Sequence, residues 1–210
     1  MKVRLLILFN LFCFYCFSEA GIHYIYEDIN NSKNIFKVTA VKCNKDSVTF
    51  KIDSVLLGNK SDSHFTLSQR EIKYLLYGCV YAPAIKLGEE RIIFLKSTLN
   101  DTTNQFKLLL DLKLQNGSIY LPNTVDVGVE NERRILPKNP NSFFDAILSL
   151  NQLYEAIRII NLCNNVDGKS TNKNIKCDDI KLDEIAKNNL VIRGWQLSKL
   201  DEYQRLKKKF

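Results

Sequence analysis

The chain has 210 residues, a formal net charge of +7, and 45% hydrophobic and 25% charged residues. This length suits one domain with its own core, or one domain with a helical appendage, and leaves little room for two large domains. The hydrophobic content is that of an ordinary globular protein and excludes disorder for most of the chain.

Residues 1–20 have the pattern of a secretory signal peptide. Lys2 and Arg4 precede an apolar run over residues 5–17, and Ser18-Glu19-Ala20 places small residues at the two positions that a signal peptidase reads. We therefore predict cleavage after Ala20 and a secreted or periplasmic protein with no membrane span. An uncleaved anchor is the weaker alternative, because the apolar run is shorter than the ~18 residues of a spanning helix. Cleavage would remove two basic residues and one acidic residue, lowering the net charge from +7 to +6.

Of the six cysteines, two lie in the predicted signal peptide and four remain: Cys43, Cys79, Cys163 and Cys177. An even number of cysteines in an exported protein predicts two disulfides, and three pairings can be drawn. We favour Cys43 with Cys79, which would tie two segments of the β-barrel that the strand-like runs of residues 34–97 predict. Cys163 with Cys177 would then close a polar loop that follows a helix.

Alternating apolar and polar residues predict strands in the first half of the chain. Asn34–Cys43 and Ser47–Leu56 alternate with a period of two, and a polar turn between them predicts a β-hairpin. His64–Leu67 predicts a third short strand, and Arg91–Lys96 a strand that is buried on both sides. Upstream of them, the alternation in Ile22–Tyr26 fits a short edge strand.

The pattern continues past a polar turn. Phe106–Leu114 is interpreted as a strand, although its leucines leave a helix open. Asn116-Gly117 predicts a tight hairpin turn into Ser118–Leu121, which supports the strand interpretation. Val125–Glu132 would extend the sheet or form a loop over it.

Pro137-Lys138-Asn139-Pro140 interrupts any continuous element and marks a boundary. After it, we predict a helix capped by Asn141 or Ser142, whose apolar stripe from Phe144 to Ile160 would pack on the barrel. Leu182–Asn188 fits a short helix.

Two further elements are predicted before the C-terminus: Leu190–Gly194 as a brief extended piece, and Leu197–Lys208 as a charged amphipathic helix.

These elements resemble the core of netrin-like, tissue-inhibitor-of-metalloproteinase-like domains and their exported bacterial relatives. The likeness rests on the hairpin ending in Val55-x-x-Gly58, on Gly78-Cys79, and on Gly88-x-x-Arg91-Ile92-Ile93-Phe94-Leu95. It implies an α+β protein with a five-stranded OB-like Greek-key β-barrel in residues 21–136 and a packed helical region in residues 137–210. The family's inhibitors act through a cysteine at the mature N-terminus. Here the mature chain would begin Gly21-Ile22-His23, so that mechanism is not transferred.

The sequence offers little for catalysis. His23 and His64 are its only histidines, and it contains no His-Glu-x-x-His, no phosphate-binding glycine loop and no G-x-S-x-G elbow. The loop between Cys163 and Cys177 lacks the alternating acidic ligands of a calcium site. We therefore expect no enzyme, no cofactor and no bound metal.

Glycan-acceptor sequences begin at Asn30, Asn59, Asn100 and Asn116.

Taken together, these features predict an exported, disulfide-stabilised module that binds or inhibits a protein partner. The alternative is an oligosaccharide- or polyanion-binding protein that uses lysines and the aromatic residues Tyr74, Tyr77 and Tyr81 in an OB groove. Trp195, the lone tryptophan, fits either an exposed anchor for a partner or, as we favour, packing of the C-terminal tail on the domain.

Overall fold

The computed structural model describes residues 23–59, 63–70, 72, 84–96, 107–122, 125–127, 144–164 and 181–207. Its strands are β1 (His23–Tyr24), β2 (Asn34–Cys43), β3 (Ser47–Leu57), β4 (His64–Ser68), β5 (Glu90–Leu95), β6 (Leu108–Gln115), β7 (Ser118–Pro122), β8 (Val125–Asp126) and β9 (Phe144–Ser149). Its helices are α1 (Ile25–Asn31), α2 (Leu150–Asn164), α3 (Leu182–Ala186) and α4 (Leu190–Lys207). Among these helices, none combines the length and the apolar character that a membrane crossing requires.

Seven strands form one antiparallel sheet in the order β4-β3-β2-β5-β6-β7-β9. Strand β2 pairs with β3 along one side and with β5 along the other. Within the described ranges, the outer strands β4 and β9 do not pair with each other, so the sheet is open. Strands β1 and β8 form a separate two-stranded parallel ladder.

The predicted five-stranded OB-like barrel is therefore wrong. Phe144–Ser149, interpreted from the sequence as part of a helix, instead forms β9 and extends the sheet beyond β7. Helices α1, α2 and α4 pack against one another, and α2 also contacts β3 and β9. The strands thus bury apolar side chains against helices without closing into a barrel. Alternation of period two specifies the two faces of a strand but not whether the sheet closes.

The strands predicted between Asn34 and Leu121 are confirmed. The first hairpin, the third short strand and the strand after Gly88 correspond to β2–β3, β4 and β5. The leucine-rich run over Phe106–Leu114, whose pattern fitted either a strand or a helix, forms strand β6. Asn116 and Gly117, with φ of 52° and 73°, supply the left-handed backbone of a two-residue hairpin turn.

Three predictions at the ends of elements are wrong. The edge strand over Ile22–Tyr26 is limited to β1, because Ile25 already begins α1. The helix expected from Asn141 or Ser142 begins at Leu150. The extended piece over Leu190–Gly194 is the first part of the continuous helix α4.

Other predictions fall outside the part of the chain that the structure describes. They are the signal peptide of residues 1–20 and the proline boundary of residues 137–140. The short helix predicted over Leu182–Asn188 is present as α3.

Sheet and helices share one apolar core. In β6, Leu108, Leu110, Leu112 and Leu114 alternate along one face and are all buried. Fully burying a side chain of this kind stabilises the fold by about 1.5–3 kcal/mol. The helices contribute Ile25 and Ile29 from α1, Leu153, Ile157 and Ile160 from α2, and Val191 and Ile192 from α4.

Gly58 ends the hairpin at a position that suits only glycine. Its φ is +88°, and a Cβ at this position would overlap the side-chain oxygen of Asn34 and the carbonyl oxygen of Lys33. The N–H of Asn59 donates to Oδ1 of Asn34 at 3.3 Å. The end of β3 is thereby tied to the start of β2.

Gly58→Ala should lower the free energy of unfolding by several kcal/mol, since the new methyl group adds a steric overlap to the ~1–2 kcal/mol of left-handed backbone strain. Gly88→Ala is the matched control, because its φ is +81° but its Cβ would meet nothing within 4 Å. Urea denaturation of both variants measures the difference. Equal losses would show that overlap with Asn34 is unimportant.

Candidate functional site

A groove with a volume of about 740 Å³ lies between α3 and α4. We call it the α3–α4 groove. The segment from α3 to its C-terminal cap contributes Leu182, Asp183, Ala186 and Lys187, and α4 contributes Arg193, Trp195, Gln196, Leu197, Lys199 and Leu200.

The groove combines a buried floor with exposed leucines. Ala186 and Trp195 are each 5% exposed, whereas Leu197 is 46% and Leu200 54% exposed. Arg193, Leu197 and Leu200 follow the i, i+4, i+7 spacing that places residues on one side of a helix. Among the described residues, Val41 and Leu87 are the other large hydrophobic side chains with comparable exposure. The groove therefore carries two of the four exposed large hydrophobic side chains of the described residues.

Asn189 fixes the start of α4 against α2. This buried side chain accepts a hydrogen bond from the N–H of Ile192 at 3.4 Å, as an N-cap residue does. Its Nδ2 donates to the carbonyl oxygen of Gln152 at 2.8 Å and to Oε2 of Glu155 at 3.0 Å. Gln152 Nε2 donates in return to the carbonyl oxygen of Asn188 at 2.7 Å.

A further bond joins the two walls of the groove, from Gln196 Nε2 to Asp183 Oδ1 at 3.2 Å. The walls are therefore fixed before any partner binds.

The groove lining is predominantly basic. It includes Lys187, Arg193 and Lys199, against the single carboxylate of Asp183. The buried indole Nε1 of Trp195 has no hydrogen-bond partner among the described residues. An unsatisfied buried donor of this kind costs about 1–3 kcal/mol.

Of the four aromatic residues predicted at a binding surface, Trp195 alone can be placed. It packs in the core and lines the groove from below, so it does not project as an exposed anchor. Tyr74, Tyr77 and Tyr81 lie outside the described residues.

Sequence reasoning missed Leu197, Leu200, Lys187 and Arg193. The amphipathic pattern of the last helix was the available signal, but starting that helix at Leu197 separated Arg193 from the leucines that follow it on the same side.

The cysteines only partly follow the prediction. Cys43, half-buried on β2, is a free thiol, so the predicted disulfide with Cys79 is not formed in this structure. Cys163 is disulfide-bonded, and its partner is not among the described residues. Cys79 and Cys177 lie in segments without a described structure. The pairing of Cys163 with Cys177 remains a prediction.

A second charged cluster lies within the sheet. Arg91 donates through Nη1 to Asp111 Oδ2 at 3.0 Å and through Nη2 to Glu89 Oε2 at 2.6 Å. Arg91 and Asp111 are only 3% and 1% exposed. Burial raises the pKa of Asp111, and the nearby Glu89 raises it further, while the charge of Arg91 opposes the rise. Arg91 and Asp111 are enclosed, and Glu89 reaches the surface with 19% of its side chain exposed, so the buried pair joins β5 to β6 and is not accessible to a substrate.

The described residues contain no group of three or more His, Cys, Asp or Glu side chains placed to hold a metal ion.

No family model, curated protein or solved structure matches the chain. The resemblance to netrin-like domains therefore rests on the quoted motifs alone. The barrel which that resemblance implied is not the fold observed, so the functional proposal has to come from the geometry of this chain.

Cys43 should be alkylated by iodoacetamide without prior reduction, but slowly at neutral pH. Burial, and then the charge of Glu89, raise the pKa of its thiol, and the thiolate is the reacting form. Peptide mass spectrometry of quenched samples measures the rate, and Glu89→Gln should increase it by removing one of the two causes. No adduct at Cys43 before reduction would show that the cysteine is oxidised.

Arg91→Met should lower the free energy of unfolding by about 3–5 kcal/mol near neutral pH, because it leaves a buried carboxyl group without its counter-charge. The pKa of Asp111 is raised in the folded state. The stability that this group contributes therefore falls as the pH rises above ~3.9, the ordinary pKa of an aspartate side chain. Without the charge of Arg91, the pKa of Asp111 rises further, so the free energy of unfolding decreases more steeply with pH. The loss should therefore be smaller at pH ~4 than at pH ~7.

Urea denaturation at the two pH values measures this effect. The double variant Arg91→Met/Asp111→Leu is the control and should recover much of the stability at neutral pH, because it removes the stranded carboxylate. A loss independent of pH, with no recovery in the double variant, would contradict the assigned role.

Proposed function

We propose that this chain is an exported, non-catalytic module that binds a protein partner through the α3–α4 groove. The observation that carries the proposal is the pair Leu197 and Leu200, exposed side by side on one helix along a concave surface. Scattered exposed leucines need no explanation, but leucines concentrated at a groove with polar surroundings are typical of interaction sites. The signal-peptide pattern of residues 1–20 supports export.

The construction of the groove supports a binding role. Asn189 and Gln152 join the start of α4 to α2, and the bond from Gln196 to Asp183 joins the groove walls. A surface held in its binding geometry loses less conformational entropy when a partner docks. Preorganisation of this kind favours recognition, and it needs none of the titratable clusters that catalysis would use.

The alternative, an oligosaccharide- or polyanion-binding OB protein, has lost its structural basis. It depended on the groove of a closed barrel, and the sheet is open. The aromatic residues assigned to it, Tyr74, Tyr77 and Tyr81, have no described position.

The double variant Leu197→Ala/Leu200→Ala should weaken partner binding by at least about ten-fold, because truncating a central apolar contact commonly costs more than 1 kcal/mol. Its free energy of unfolding should fall by about 1 kcal/mol or less, since both side chains are already about half exposed. The immobilised wild-type and variant chains would be compared for capture from the extracellular fraction of the source. The captured protein would then be purified and titrated by calorimetry.

Val41→Ala/Leu87→Ala is the matched control, because it removes the other exposed large hydrophobic side chains of the described residues. It should leave the affinity unchanged. A purified partner that binds the Leu197/Leu200 variant as tightly as the wild type would refute the groove as the binding surface.

A further inference from the structure

We infer that Asn116, in the turn between β6 and β7, is an acceptor for N-linked glycosylation when the chain enters a eukaryotic secretory compartment. The sequence Asn116-Gly117-Ser118 has the Asn-x-Ser pattern of a glycan acceptor. The inference depends on the proposed export of the chain. It does not depend on the α3–α4 groove, whose described lining belongs to α3, its cap and α4.

The turn exposes the acceptor side chain to solvent. Asn116 and Gly117 are the central residues of the hairpin turn, with φ of 52° and 73°, and both are exposed. A Cβ placed on Gly117 would meet nothing within 4 Å, so the space beside the acceptor is open. An oligosaccharide is bulky and hydrophilic. The end of this hairpin is therefore a place where the folded domain accommodates one.

The shape of the turn does not depend on the amide hydrogens of Asn116. Strands β6 and β7 pair on both sides of it, with Gln115 opposite Ser118. The carbonyl oxygen of Gly117 accepts a hydrogen bond from the N–H of Leu150 at 3.1 Å. Both interactions are made by the backbone. A sugar that replaces one hydrogen on Nδ2 of Asn116 therefore leaves them intact.

The modification is a substitution at the sugar. Nδ2 of Asn116 forms a bond to the anomeric carbon of an oligosaccharide carried on a lipid pyrophosphate. The bond from that carbon to the pyrophosphate oxygen breaks, and the lipid pyrophosphate leaves with the electron pair. The amide nitrogen gives up one proton, so the step needs no oxidant or reductant. The host compartment supplies the donor and the transferase, and this chain supplies the acceptor.

The acceptor sequence at Asn30 lacks these conditions, although Asn30 is also exposed. It lies in α1, which packs against α2 and α4, and its Oδ1 accepts a hydrogen bond from Nδ2 of Asn164 at 2.6 Å. The hydroxyl of Ser32, the third residue of the sequence, is buried and donates to the carbonyl oxygen of Asp28 at 2.6 Å. Both polar groups of this acceptor sequence are thus engaged within the fold, and a glycan on Asn30 would crowd Asn164.

The other two acceptor sequences enter the comparison only in part. Asn59 is exposed, but Ser61 lies outside the described residues, as does the whole sequence from Asn100. The structural distinction is therefore between Asn116 and Asn30.

The test expresses the full chain, including residues 1–20, in cultured eukaryotic cells and recovers it from the medium. Peptide N-glycosidase in heavy-oxygen water converts each glycosylated asparagine to a labelled aspartate. Peptide mass spectrometry then gives the occupied fraction at each site. We expect a glycan on Asn116 in most secreted molecules and on Asn30 in few.

Variants of the turn separate the acceptor from the fold. Asn116→Asp should remove one glycan while keeping a residue that tolerates the left-handed backbone. Ser118→Ala should remove the same glycan while keeping the asparagine, because the Asn-x-Ser/Thr pattern is lost. Ser118→Thr restores that pattern with a residue that suits a strand and should keep the glycan. Asn30→Gln is the matched control and should leave the number of glycans unchanged.

A secreted chain with Asn116 unmodified would overturn the inference and leave the proposed export standing. Equal occupancy of Asn30 and Asn116, or a glycan that survives in Ser118→Ala, would overturn it as well. A chain that stays inside the cells without a glycan would overturn both the inference and the export. Partner binding through the groove is tested by the leucine variants, so its failure would leave the glycan acceptor in place.

Discussion

The buried guanidinium of Arg91 is the constraint on which the register of the sheet depends. Strand β5 continues from Arg91 into Ile92-Ile93-Phe94-Leu95, all of them buried, and an apolar run alone fixes register poorly. A shift of one residue would move Arg91 to the opposite face, away from Asp111 on β6, and would leave the buried carboxylate of Asp111 without its counter-charge. The ion pair therefore excludes alternative registers, whatever its net contribution to stability.

Once the register of β5 is fixed, the position of the helices follows. Ile92 lies opposite Lys37 of β2 and Leu112 of β6. Lys37 forms an ion pair with Glu90 at 2.7 Å, which raises its pKa, and the charge of Tyr154 on α2 adds to that rise. Helix α2 contacts β3, the strand that pairs with β2 on its other side. Because Gln152 of α2 and Asn189 position the start of α4, the geometry of the groove depends on the order of the sheet.

The sequence predicted an element correctly wherever its hydrophobic pattern fitted only one periodicity, that of a strand or that of a helix. Val48, Phe50 and Ile52 alternate cleanly, and they form β3 as predicted. Phe144, Ile147 and Leu148 fit a strand and a helix equally well, and only pairing with β7 decides for the strand. Leu190–Gly194 was interpreted as an extended piece but lies inside α4, where Gly194 is buried. Tertiary packing, which a single sequence does not display, overrode local preference at both places.

The candidate site was harder to predict than the fold for a related reason. The net charge of the chain says nothing about where charge is concentrated, and the terminal lysines were its most visible source. Lys187 and Arg193 lie on either side of Asn189, which caps α4, and both line the groove because α4 packs against α3. Trp195 stood out by being unique, yet its burial places it in the floor of the groove. The more exposed leucines after it form the proposed contact surface, because side chains that remain accessible after folding are the ones a partner can reach.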